Sequence, residues 1–262
     1  MTQAQQREIW LFNIKFRENR ERYWTPKIYK ELIAMIKEAM NKPSIEIAIQ
    51  QVDISVRGEG IAKVIEKIYI DAGKVMGGHT YQYIKRGFKQ KQLMPMGQNE
   101  QMIADIIAYL NEYILDKAVL PITDTMREWI KRKAIEGQQK GWSLQMVADE
   151  LIRHDFPKNR AYVITRTEVL RAANYGAVAG AKQTGLELRK EWISGISERT
   201  RRIPRDEFDH IRMNGVVVGF NEPFRVPRRD GTFEELNQPG DPVGSAANVI
   251  QCRCTVGFIP VE

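Results

Sequence analysis

The sequence predicts an α+β protein, mostly helical in its N-terminal region and ending in a small α+β module with a short sheet. Three observations lead there. Apolar residues recur at helical spacing through most of the first 185 residues. Helical periodicity fades after Gly185, and short β-type runs then alternate with Gly, Pro and Asn signals. The expected division is a helical region over 1–140 and an α+β module over 141–262.

Element by element, Thr25-Pro26 offers a capping hydroxyl followed by proline at the first helical position. Ile28, Leu32, Met35, Ile36 and Met40 then share a helical face, and Asn41 to Pro43 stops the run. A second amphipathic run covers Gly60 to Tyr83, with Ile61, Val64, Ile65, Ile68 and Ala72 on one side. Gly87 to Gly97 reads as a linker. Helix resumes at Asn99 with Ile103, Ile106, Ile107, Leu110 and Ile114, and is expected to end at Pro121. Another begins near Thr123, carries Met126, Trp129 and Ile130, and ends at Gly137; Ser143 caps a short one that Phe156-Pro157 closes. Ala161 to Gly185 is a helix rich in small residues. Ala172, Gly176 and Gly180 lie four apart on one face, and two mid-helix glycines cost roughly 1 kcal/mol each. Close approach of another backbone is the expected reason. Strands are predicted at Arg189 to Ile193, Gly215 to Val218 and Val249 to Phe258.

Composition narrows the class. With 43% apolar and 28% charged residues in 262, wholesale disorder is excluded. No stretch approaches the roughly 18 uninterrupted apolar residues of a membrane span, and Met1 to Phe16 lacks the pattern of a secretory signal. A soluble protein of a reducing cytoplasm, without a membrane partner, is expected. Forty Lys plus Arg against 33 Asp plus Glu leave a net charge of +7. The excess lies between Lys63 and Lys91 and between Arg153 and Arg205, with no run of five basic residues. That charge permits nucleic-acid contact without demanding it. Only two cysteines occur, Cys252 and Cys254, which excludes a disulfide scaffold.

Four clusters carry most of the information. They are Thr165-Arg166-Thr167-Glu168; Trp192 with Glu198-Arg199-Thr200-Arg201; Asp209-His210 with Met213-Asn214-Gly215; and Pro239-Gly240-Asp241-Pro242 followed by Asn248 to Thr255, which contains Cys252-Arg253-Cys254. In this order they resemble the C-terminal module of phage head morphogenesis proteins, the minor head proteins typified by the F protein of phage Mu and gene product 7 of phage SPP1. The family pattern is an R-T-E helix, a K-x-W strand, a D-x-R-T-R loop, a histidine before a small-Gly turn, P-G-D-P and an N-C-R-C-T strand. The match covers roughly residues 143 to 258. Glu198 stands where Asp is usual, and two non-standard residues, Ile250 and Gln251, sit just before the first cysteine.

The residues themselves allow more than one chemistry. Arg166 and Glu168 are two apart on a helix, point about 200° from one another and need separate partners. Arg199, Arg201 and Asp241 are the opposite charges at hand. A network of charge-assisted bonds pinning Gly- and Pro-rich loops to the helix is the structural reading. The catalytic alternative is a nuclease or ADP-ribosyltransferase-like effector using Glu168, Arg199 and His210. No phosphate-cradling loop or nucleophile elbow accompanies them. Strand alternation puts Cys252 and Cys254 on one face, about 6 to 7 Å apart. With His210 they are candidate zinc ligands, a fourth coming from Asp209, Asp241 or His154. Buried reduced thiols are the ordinary expectation, so no metal or other cofactor is assigned. His79 and His154 read as surface histidines. Trp24, Trp129, Trp142 and Trp192 read as packing residues, and Phe220, Pro223, Phe224 and Pro227 as a loop over the sheet or a docking surface.

The resemblance implies a non-enzymatic minor capsid protein of a tailed phage or prophage. It would meet the portal protein and the major capsid and scaffold proteins of the procapsid, and support DNA packaging or ejection. Its expected place is the head interior at the portal vertex, and the host cytoplasm during assembly. Weak, non-specific binding of double-stranded DNA is expected from the charge. Modules of this kind are also fused to toxin domains; a chain ending at Glu262 argues against an appended effector here. No helix-turn-helix, zinc-finger or basic-zipper signature marks a dedicated DNA reader.

Overall fold

The computed structural model describes residues 1–87, 96–195 and 197–261. The helices are α1 (Gln3–Met40), α2 (Ile45–Ser55), α3 (Glu59–Ile68), α4 (Lys74–Gly87), α5 (Met96–Ile114), α6 (Leu120–Gln139), α7 (Leu144–Arg153) and α8 (Asp155–Lys182). Single π-helical turns, Tyr69–Gly73 and Leu115–Val119, join α3 to α4 and α5 to α6. Strands β1 (Leu188–Ile193), β2 (Val217–Gly219), β3 (Phe224–Pro227) and β4 (Phe233–Leu236) follow, then a short α9 (Ala246–Val249) and β5 (Thr255–Pro260). The α+β class stands. The chain forms two compact units interleaved in sequence: one of residues 1–21, 67–111 and 166–262, the other of 22–66 and 112–165.

Prolines account for most of the differences from the sequence expectations. Pro26 does not start a helix but lies inside α1. The roughly 3 kcal/mol that an interior proline costs is offset by a face on which Trp24, Ile28, Leu32 and Ile36 are all buried, and Lys27 Nζ donates to the Tyr23 carbonyl at 3.1 Å. Pro121 stands in the first turn of α6, which runs on directly from the π-turn, instead of ending the helical run. Pro157 likewise falls in the first turn of α8. Residues 88–95 of the expected linker lie outside the described residues, and α2 had no counterpart in the sequence reading. Ser143 caps α7 as expected, its Oγ accepting from Met146 N–H at 3.2 Å.

In the unit that holds the chain's C-terminal part, the sheet order is β2-β1-β5, all antiparallel, with Trp192 opposite Val256 and Lys190 opposite Phe258. β3 and β4 form a separate hairpin. The segment Phe220 to Pro227 is therefore partly strand: Phe224 and Val226 point inward and are fully buried. Val249 lies in α9, and the closing strand starts only at Thr255. Helix α8 joins this core through Leu170, Ala177 and Ala181. On the same helix, Gly176 and Gly180 meet the backbone of Gly73 and Gly77, so the small-residue face does receive another backbone.

Candidate functional site

Helix α8 is the spine on which the loops hang. Glu168 is buried; its Oε1 accepts from Arg171 Nη1 at 2.9 Å and its Oε2 from the Tyr69 hydroxyl at 3.2 Å. Arg171 in turn donates Nε–H to the Gly240 carbonyl at 3.1 Å. Burial and the Glu168 charge together push the Tyr69 phenol well above its ordinary range. Asn174 donates to the carbonyls of Pro239 (2.7 Å) and Cys254 (3.2 Å) and accepts from Thr255 Oγ1 at 2.9 Å. Thr167 Oγ1 accepts the Gln251 N–H at 3.2 Å. One helix face thus holds the Pro239–Pro242 loop and the segment leading into β5.

Arg166 faces Glu21 on α1 (4.0 Å), not Asp241. Burial raises the Glu21 carboxyl, with the Arg166 charge opposing. Arg17, one turn earlier, donates to the Arg253 carbonyl at 3.0 Å and to the Cys254 carbonyl at 3.4 Å. Asp241 is buried and spent on its own loop, accepting from the backbone N–H of Asn237 (2.8 Å) and Val243 (3.2 Å). Gly240 has φ +83°, and a β-carbon there would run into Leu170, so Pro239-Gly240-Asp241-Pro242 is a tight turn pressed on α8. Arg201 donates to the Ile250 carbonyl, while Glu198 and Arg199 are exposed and Thr200 is buried. Gly215 (φ +81°) closes the turn into β2, its N–H donating to the Trp192 carbonyl at 2.9 Å.

The third group gathers around His210. Its Nδ1 lies 3.5 Å from Cys252 Sγ and 3.6 Å from Cys254 Sγ, and its Nε2 lies 2.7 Å from Asn248 Oδ1. Trp192, fully buried, stands edge-on to the imidazole at 5.4 Å and to Phe224 at 5.3 Å. Both cysteines are buried and unpaired as disulfides. The Cys252 thiol is held well below its ordinary range by the hydrogen bond from Cys254, helped by His210 and Arg201, whereas burial pushes Cys254 well above it. Of the expected fourth ligands, none joins the group. Asp209 Oδ1 accepts the Arg212 N–H, Asp241 is engaged as described, and His154 belongs to the other unit, where its Nδ1 accepts the Phe156 N–H.

The proposed catalytic trio is not assembled. Glu168 is bonded to Tyr69 and Arg171, His210 to Asn248 and the cysteines, and Arg199 is exposed; they share no partner among the described contacts. His79 and His154 are half-buried, His79 stacking on Phe12 at 3.7 Å. Trp24, Trp129 and Trp192 are buried and Trp142 half-buried. The sequence reading missed Arg171, Asn174, Tyr69 and Arg17. Arg171 was findable, standing three residues after Glu168 on the same helix face. Tyr69 and Arg17 arrive from 99 and 236 or more residues away and leave no local signal.

Comparison with known proteins agrees with the motif reading. The family model described as phage Mu protein F like protein matches residues 128–257. The chain is 29% identical over 121 residues to the uncharacterized protein YqbB of Bacillus subtilis (strain 168), a stretch covering 45% of this chain and 37% of that relative. No solved structure matches. The match takes in the Arg166-Thr167-Glu168 helix, the Trp192 strand, the Pro239–Pro242 turn and Cys252 to Thr255. Through residues 128–257 the protein belongs to the phage Mu protein F like family of phage head morphogenesis proteins.

Proposed function

We propose that the protein is a non-enzymatic minor capsid protein, built into the procapsid beside the portal and acting in DNA packaging or ejection. The observation that carries this reading is how the motif residues spend their polar groups. Glu168, Asp241 and Thr167 each bond protein groups that fix loops, with Arg171 and Asn174 as the bridging donors. A catalytic carboxylate needs a free oxygen facing a reactant, and Glu168 has both oxygens engaged within a buried network. A rigid module with a basic surface suits a protein that meets capsid proteins on one side and packaged DNA on the other. The family assignment supports virion assembly as the setting.

The test is co-purification from a procapsid preparation. A tagged copy expressed with the portal and capsid genes of its own phage is expected to bring down the portal protein in stoichiometric ratio. Recovery of the protein free of portal and capsid proteins would overturn the proposal. Hydrolysis of DNA or transfer of ADP-ribose by the purified protein, lost in Glu168→Gln, would favour the effector reading instead.

A further inference from the structure

We propose that His210 Nδ1, Cys252 Sγ and Cys254 Sγ bind one Zn2+ ion, which staples the turn before β2 to the segment before β5. The three ligand atoms lie within 4.8 Å of one another, and all three residues are buried. Zinc bonds of about 2.3 Å to sulfur and about 2.0 Å to nitrogen, at a tetrahedral angle, set N and S about 3.5 Å apart. The two N···S separations, 3.5 and 3.6 Å, fit that figure, and the sulfurs, within 4.8 Å of each other, close to about 3.8 Å around the ion.

The same distance suits an S–H···N hydrogen bond, so the surroundings must decide. Glu234 Oε2 accepts from Asn248 Nδ2 at 3.0 Å, and a carboxylate can only accept. The Asn248 amide is thereby oriented with Oδ1 towards His210 Nε2, 2.7 Å away, so Nε2 carries the proton. Nδ1 then presents one lone pair to two sulfurs. A single thiol proton could satisfy it, leaving the second sulfur, at nearly the same distance, without a purpose there. A metal uses the nitrogen and both sulfurs. The chain Glu234–Asn248–His210 is also the outer-shell pattern that orients metal-bound histidines.

Donors are aimed at the sulfurs. The Cys254 N–H donates to Cys252 Sγ at 3.4 Å. The Trp192 indole N–H is buried without a hydrogen-bond partner and lies beside the Cys254 sulfur. Two thiolates, a neutral imidazole and Zn2+ sum to zero charge, which removes most of the cost of burying the ions. These ligands fill three of the four tetrahedral positions. Soft sulfur and imidazole donors suit zinc and disfavour magnesium or calcium.

The experiment uses the full chain, expressed in zinc-supplemented medium and purified reduced and without chelators. Elemental analysis is expected to give one zinc per chain, and Co2+ exchange a sulfur-to-cobalt charge-transfer band with the d–d spectrum of a tetrahedral ion. Asn248→Leu, which touches no metal, should weaken zinc affinity by about 10- to 100-fold in competition with a chromogenic chelator. Cys252→Ser should abolish the charge-transfer intensity assigned to one of the two thiolates. Should a variant misfold, the wild-type stoichiometry and cobalt spectrum still decide. Folded wild-type protein with two titratable thiols, no zinc and no cobalt–thiolate band would overturn the proposal.

Discussion

Gly176 of α8 and Gly73 of the first π-turn touch backbone to backbone: a β-carbon on Gly176 would lie 2.5 Å from Gly73 Cα. One turn on, a β-carbon on Gly180 would lie 2.7 Å from Gly77 Cα. Neither neighbour is a flexible side chain that could turn aside. Gly176→Ala is therefore expected to destabilise by about 1–3 kcal/mol despite alanine's better helix propensity. Gly78→Ala, in the same α4 helix but with nothing within 4 Å, should instead stabilise by about 0.5–1 kcal/mol. Urea melts of the two variants should move in opposite directions.

The buried Glu168–Arg171 pair gives a second pair of outcomes. Glu168→Ala leaves the Arg171 guanidinium buried without its anion and is expected to cost about 3 kcal/mol. Arg166→Ala leaves the buried Glu21 carboxylate without the guanidinium 4.0 Å away and is expected to destabilise as well. Thermal unfolding measures both. An unchanged melt for Glu168→Ala with lost head assembly would turn Glu168 from a structural into a functional residue.

Lys190 makes stability depend on pH. Burial lowers its ammonium to about 8, with Asp241 and Glu222 opposing, while its Nζ donates to the Asn237 carbonyl at 2.9 Å. Between about pH 8 and the unfolded value of 10.5, the unfolded chain holds more protons than the folded one at this site, so its contribution makes stability rise with pH. The buried Tyr69 and Tyr109 phenols, both raised, act the other way above about pH 10. Lys190→Met should therefore flatten the stability profile between about pH 8 and 10 relative to wild type.

Duplex DNA should bind without sequence preference, no tighter than about micromolar at physiological salt, and lose affinity steeply as salt rises. The basis is a net charge of +7 with no run of five basic residues. Titrations on two unrelated duplexes at two salt concentrations check it. Nanomolar, selective binding, or none at low salt, would contradict it.

Several features were fixed by local sequence. The buried faces of α1, α3 and α6, the Ser143 cap and the central strand around Trp192 all follow from periodicity or capping chemistry acting over a few residues. The glycine spacing in α8 announced a close backbone, because mid-helix glycine costs stability that only such contact repays. The partners were decided by tertiary structure. Pro26 could cap a helix or ride inside one, and only the burial of its neighbours settles which. Arg166 has Glu21, and Glu168 has Tyr69, because α1 and the first π-turn pack on α8, which no spacing within 166–168 can encode. His210 meets two cysteines 42 and 44 residues away, and its proton position depends on Asn248 and Glu234. Residue types limit which bonds are possible; the folded chain alone brings donor and acceptor within reach.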